Sequence, residues 1–241
     1  MFEKLPLSIK KALAWSVHLF TATGAVWGLL TMLAIFEQNW RMTIIWIIVA
    51  MFVDGFDGTL ARLFHVKEYA RQIDGSLLDN IIDYFNYVMI AALILLKAPG
   101  LLPVGWEMIG ACSILLTSAY QFTQVDAKTD DKSYFFKGFP SYWNLLVLYL
   151  MVIQLNPWIN LAILMVCNVL IFVPVKYLYP SRNIRLRKLT LILTYLYSAI
   201  CVWGFLQYPS VPQWVLWISL AYIAYYALLS FFPKIGQAEP A

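Results

Sequence analysis

The sequence predicts an all-helical integral membrane protein, a bundle of about eight transmembrane helices, and three observations predict it. Hydrophobic residues make up 62% of the 241, charged residues 12%, and the mean hydropathy is +0.72; soluble domains run near half apolar and about a quarter charged. Apolar stretches long enough to span recur at 12–36, 42–64, 76–96, 103–123, 139–155, 157–177, 189–207 and 211–232. A span takes about 20 residues, so these and their short connections nearly exhaust the chain. The basic residues then sort by side: 15 of the 17 Lys and Arg fall on alternate connections. Disordered chains, disulfide-rich secreted modules and ordinary soluble enzymes are excluded.

Each element has its own reason. Met1 to Lys11 lacks a short apolar core and cleavage site and reads as a retained cytoplasmic end. At its end Pro6, Leu7, Ile9, Lys10 and Lys11, with Leu13 just beyond, are expected to form a short amphipathic turn on the membrane surface. Gly24 and Gly28 on the first span form a G-x-x-x-G that permits close packing, within the chain in the first instance and in a homodimer in the second. The second and third spans are joined by a turn carrying Lys67 and Arg71, and the fifth span is the shortest. Pro157, Pro180, Pro209 and Pro212 punctuate the later boundaries. Arg41 and Lys97 alone lie on the poorly charged side, so the rich side, holding both termini, is cytoplasmic. The net charge of +4 is then loop charge near anionic headgroups and no nucleic-acid footprint. Cys112, Cys167 and Cys201 fall in apolar runs without metal-ligand spacing and are expected to be reduced and buried. His18 and His65 show no partner and read as packed or interfacial residues. Residues 1–241 form one membrane domain.

The acidic residues are out of place. Six of the 13 fall between positions 54 and 83, four of them, Asp54, Asp57, Asp79 and Asp83, inside or at the edge of apolar runs. A carboxylate at the bilayer centre costs about 2.5–3.5 kcal/mol, less near the interface, and clustered carboxylates also repel. Helical spacing puts Asp54, Asp57, Gly58, Ala61 and Arg62 on one face, and Gly75, Asp79 and Asp83 on another. If the two helices are antiparallel neighbours, the four carboxylates converge. Oxygen-only ligands suit Mg²⁺ or Mn²⁺, and two such ions offset four charges. Both glycines allow backbone to approach a ligand, and Arg62 offers a planar fork suited to phosphate.

The stretch Asp54-Gly55-Phe56-Asp57-Gly58-Thr59-Leu60-Ala61-Arg62, followed by Gly75-Ser76-Leu77-Leu78-Asp79-Asn80-Ile81-Ile82-Asp83, resembles the signature of the CDP-alcohol phosphotransferases. Its pattern is D-x-x-D-G-x-x-A-R, a spacer, then G-x-x-x-D-x-x-x-D, and every fixed position matches within residues 54–83. Twelve residues separate Arg62 from Gly75, a longer spacer than most members carry. The resemblance implies transfer of the phosphate-bearing half of a CDP-linked substrate to an alcohol, with release of CMP, at the cytoplasmic interface. It implies that Asp54, Asp57, Asp79 and Asp83 ligate two metal ions, that Asp83 is also the catalytic base, and that Asp57, Gly58, Ala61, Arg62 and Gly75 border the CDP-lipid.

The eight-span pattern, with Phe136-Lys137-Gly138-Phe139-Pro140-Ser141-Tyr142-Trp143-Asn144 and Val173-Pro174-Val175-Lys176-Tyr177-Leu178-Tyr179-Pro180-Ser181-Arg182, is similar to the bacterial phosphatidylcholine synthases of that superfamily. This implies CDP-diacylglycerol as donor, choline as acceptor, Mn²⁺ (or Mg²⁺) as cofactor, and a bacterial inner membrane. Choline has no N–H to donate, so its recognition rests on cation–π contacts and carboxylate fields. Tyr134, Phe135, Phe136, Phe139, Tyr142 and Trp143 could form a cage or simply an interfacial belt, Tyr142 and Trp143 being the better candidates for acceptor contacts. Arg182 and Arg185 could face the phosphates of the donor lipid or serve only as positive-inside charge. Two alternatives stay open: a phosphatidylserine synthase of the same superfamily, and, more remotely, a cation transporter. Transporter sites lie near the midplane, whereas these carboxylates sit toward helix ends beside Arg62.

Overall fold

The computed structural model describes residue 2 and residues 5–124, 135–173, 176–178 and 187–231. Helix α1 (Leu7–Phe36) starts directly after Pro6 and runs unbroken for 30 residues. The residues expected to form a surface turn are its first turns, continuous with the span. At 1.5 Å per residue α1 is about 45 Å long, against a hydrocarbon core of about 30 Å, so its first turns can lie in the interface without leaving the helix. Asn39 caps α2 (Trp40–Leu63), its side chain accepting the Met42 N–H at 3.2 Å. A single turn, α3 (Val66–Tyr69), occupies the spacer.

The third span is one rod, Gly75–Lys97, in three parts: α4 (Gly75–Asp83), a π-helical segment (Tyr84–Met89) and α5 (Ile90–Lys97). Asp74 starts it, accepting the N–H groups of Ser76 and Leu77 at 3.0 and 3.1 Å, which satisfies two of the helix's orphan donors. Then come α6 (Glu107–Thr123), α7 (Trp143–Ile153), α8 (Pro157–Phe172), α9 (Arg187–Phe205) and α10 (Gln213–Phe231). Asn156 caps α8 through the Trp158 N–H, with Pro157 in its first turn.

Helical rods therefore stand at each of the eight expected stretches. Four of them, α1, α2, the Gly75–Lys97 rod and Lys188–Phe205 of α9, are long and apolar enough to cross a membrane; α7, α8 and Gln213–Leu228 are apolar but shorter. The fifth stretch, expected over 139–155, is helical for only 11 residues. Pro140 disfavours helix before it, and Gly138 and Ser141 adopt positive φ. Gly138 and Phe139 instead lie against the end of α8, the Phe139 N–H donating to the Leu170 carbonyl at 3.0 Å. A further departure from an all-helical fold is a two-stranded antiparallel ribbon, β1 (Phe135–Lys137) with β2 (Lys176–Leu178), in the register Phe136 opposite Tyr177.

The core centres on α5 and the π segment, where Val88, Ile90, Ile94 and Leu95 are enclosed with Ile44 and Ile47 of α2, Ile114 of α6, Val147 and Leu148 of α7 and Leu164 of α8. Long apolar side chains such as Leu19, Phe52, Leu116 and Trp217 point outward, as helices facing lipid require. Cys112, Cys167 and Cys201 are all free, and the expectation that they are buried is met in full only at Cys201. Gly24 and Gly28 are consumed inside the chain: a Cβ on Gly28 would strike the Phe85 ring, and one on Gly24 would strike Ile82. α1 packs along α2 and also against α4, whereas α2 and α4 have few close backbone approaches to each other. The two halves of the acidic pattern are thus both referenced to α1.

Candidate active site and metal centre

Of the four carboxylates expected to converge, three do: one carboxylate oxygen from each of Asp54, Asp57 and Asp79 lies within 4.8 Å of the others. Asp57 is buried and the other two are half-buried. At that separation, with an effective dielectric of about 20, each ionised pair repels by about 3.5 kcal/mol. The chain invests in this arrangement rather than relaxing it. A hard, all-oxygen donor set at this spacing fits a divalent cation such as Mg²⁺ or Mn²⁺. Asp83, one turn beyond Asp79 and half-buried at the end of α4, stands outside this triangle.

The neighbours explain how the carboxylates are held. The Tyr87 hydroxyl, on the π segment, donates to Asp54 Oδ2 at 2.6 Å. Thr21 of α1 offers its side chain to Asp57, which also interacts with the Gly58 backbone N–H. His18, one turn before Thr21, is buried and its Nε2 donates to the Ala70 carbonyl at 3.3 Å. A Cβ on Gly75 would stand 3.0 Å from His18 Cε1, so the ring closes that side of the glycine. Val66 and Ala70 of the spacer are buried against Ala14 and Val17 of α1. His65 is stacked on Phe2 with ring centroids 5.4 Å apart and meets Tyr69 edge-on at 6.5 Å. Both histidines therefore have partners that the sequence does not reveal.

Gly58 and Arg62 sit beside the triangle. Arg62 is exposed, donates from Nη2 to the Thr59 hydroxyl at 3.1 Å, and places Nη1 3.6 Å from where a Gly58 Cβ would stand. A methyl group there fits the chain itself, so the glycine leaves room for something else. Ala61 packs on the small cluster of Ala14, Val17, Val66 and Ala70, and its short side chain lets α1 approach.

The acceptor candidates separate. Tyr142 is 45% exposed and its ring lies 5.5 Å from that of Tyr87, which brings the start of α7 to the carboxylates. Trp143 is 0% exposed, and its indole N–H donates to Ser118 Oγ at 2.7 Å. Ser118 is bonded to Ser141, and Ser141 to Gln121, so Trp143 belongs to an interior polar chain behind Tyr142. Phe139 packs edge-on against Trp143. Tyr134, Arg182 and Arg185, and the side chains of Phe135 and Phe136, lie outside the described residues.

Two residues at the site escaped sequence reading. Tyr87 continues the four-residue spacing of Gly75, Asp79 and Asp83, but in a regular α-helix that spacing drifts off their face, so the sequence alone does not place it at the site. Thr21 lies on the small and polar face of α1 with His18, Gly24 and Gly28, but nothing local ties it to Asp57.

The sequence profile of CDP-alcohol phosphatidyltransferases matches residues 18–174, which include the four aspartates, Thr21, Gly58, Arg62, Gly75, Tyr87 and Tyr142. A phosphatidylcholine synthase of Legionella pneumophila is 40% identical over 225 residues, covering 91% of this chain and 88% of that protein. One from Borreliella burgdorferi is 36% identical, covering 93% and 96%, and one from Pseudomonas aeruginosa is 36% identical, covering 90% of each. With the profile spanning more than half of the chain and such likeness running nearly end to end, the chain belongs to the CDP-alcohol phosphatidyltransferase family.

Proposed function

We propose that the chain is a phosphatidylcholine synthase, transferring the phosphatidyl group of CDP-diacylglycerol to the hydroxyl of choline and releasing CMP. The observation that carries this reading is the end-to-end likeness to proteins of that name, at 34–40% identity, around an intact carboxylate triangle. In the reaction the choline oxygen bonds to the phosphorus that bears diacylglycerol. The bond from that phosphorus to the bridging oxygen breaks, and the oxygen leaves with CMP.

Divalent cations bound at the carboxylates, Mn²⁺ or Mg²⁺ and two in number, supply Lewis-acid neutralisation of the pyrophosphate. Asp54, Asp57 and Asp79 hold them, joined by Asp83, which also accepts the choline proton. Asp57, Gly58, Ala61, Arg62 and Gly75 border the CDP moiety, with the Arg62 fork on phosphate. Tyr142 presents an aromatic face to the quaternary ammonium; Trp143 backs it from the interior. Arg182 and Arg185 serve the donor phosphates. The whole chain acts as one eight-span domain of the bacterial inner membrane, with both termini and the site at the cytoplasmic face, supported by the sidedness of the basic residues.

Purified protein given CDP-diacylglycerol, Mn²⁺ and either labelled choline or labelled serine tests the assignment. Label is expected in lipid from choline with stoichiometric CMP. Incorporation from serine alone overturns the acceptor, and no CMP from either overturns the reaction.

A further inference from the structure

We infer that Tyr87 is a positioning residue for the metal centre, holding Asp54 from outside the family signature; this rests on the reading of the carboxylate triangle as a cation site. Its hydroxyl meets Asp54 Oδ2 at 2.6 Å, the length of a strong hydrogen bond to an ionised acceptor. The ring is 6% exposed, so the bond is shielded from competing water. By engaging Oδ2, Tyr87 fixes the orientation of the Asp54 carboxylate beside Asp57 and Asp79.

The backbone supports the same role. An α-helix gains about 40° for every four residues relative to a full turn, so in a regular helix Tyr87 would stand about 80° away from the Asp79 column. The π segment begins at Tyr84, immediately after Asp83. Its i→i+5 bonding gives about 4.4 residues per turn, and four residues then fall roughly 30° short of a turn. The two drifts nearly cancel, and Tyr87 returns to the column of Asp79 and Asp83. The helix geometry changes at the position that aims this hydroxyl at α2. Tyr142 closes the other side of the ring at 5.5 Å, so Tyr87 is clamped between the metal ligands and the start of α7. Partners of this kind outside the ligand set usually carry 10–100-fold of metal affinity.

The test is Mn²⁺ titration of the full chain in detergent, read by loss of the free Mn²⁺ signal in electron paramagnetic resonance. Wild type is expected to bind and Asp54→Ala to lose binding; a wild type that takes up no Mn²⁺ defeats the metal reading itself. Given that binding, Tyr87→Phe should weaken Mn²⁺ about 10–100-fold. Tyr87→4-aminophenylalanine, which keeps a donor on the ring, should stay within about threefold of wild type. Should the cavity left by Tyr87→Phe unfold the chain, Tyr87→4-methylphenylalanine fills the volume without a donor and takes its place. Mn²⁺ affinity equal to wild type in the donor-less variant, or equal loss in the aminophenylalanine variant, overturns the inference.

Discussion

Individual side chains at the site are arranged against their own electrostatics. Three carboxylates within 4.8 Å repel strongly, and each is reached by a different device: Tyr87 bonds Asp54, Thr21 meets Asp57, and the Asp74 cap begins the helix that carries Asp79. Asp54→Ala is expected to abolish turnover and Mn²⁺ uptake together while leaving the chain folded, because removing one charge relieves repulsion. CMP release and heat stability without metal check this; retained turnover would remove the site. Gly58→Ala separates packing from binding. The added methyl meets only Arg62 Nη1, at 3.6 Å, so heat stability should stay within about 1 kcal/mol of wild type, gaining if anything from helix propensity. The KM for CDP-diacylglycerol should nevertheless rise at least tenfold. An unchanged KM would place the CDP moiety elsewhere.

Among the elements, the spacer is where the sequence was least legible. A 12-residue connection between Arg62 and Gly75 shows charge and little else, yet it folds as α3 and docks Val66 and Ala70 on α1. The reason is that its partners, Ala14, Val17 and His18, lie about fifty residues earlier, and no local periodicity encodes them. The fifth rod shows the reverse error. An apolar run over 139–155 satisfies a hydropathy window, but Pro140 and the positive-φ residues Gly138 and Ser141 withdraw its first turn from helix. α4 depends on its cap. Asp74→Ala leaves the N–H groups of Ser76 and Leu77 without their acceptor and should cost about 1 kcal/mol, seen as a lower melting temperature. Because the cap sits just before Gly75, Mn²⁺ affinity should fall modestly as well; a variant as stable as wild type would show that water replaces the cap.

Across the whole molecule, sidedness is the property that decides access, since a soluble alcohol and a lipid-borne nucleotide must reach one leaflet. The proposed orientation places Lys67 at the cytoplasmic face and Val104, 97% exposed between α5 and α6, on the opposite one. In a chain lacking Cys112, Cys167 and Cys201, Val104→Cys should react with a membrane-impermeant maleimide in intact cells, and Lys67→Cys only after lysis. The opposite pattern would invert the topology and move the site across the membrane.

The sequence by itself determined the solvent this protein folds in, the approximate positions of its helical rods, the face that Asp54 shares with Asp57 and the face that Asp79 shares with Asp83, and the family. Each follows from composition or from spacing along a single helix, which are local quantities. Tertiary structure alone decided what holds those carboxylates in place: Tyr87 on Asp54, Thr21 at Asp57, His18 behind Gly75, and Trp143 enclosed while Tyr142 faces outward. Those choices rest on which helix happens to pack beside which, and α1, carrying no part of the signature, is the helix against which both of its halves are set.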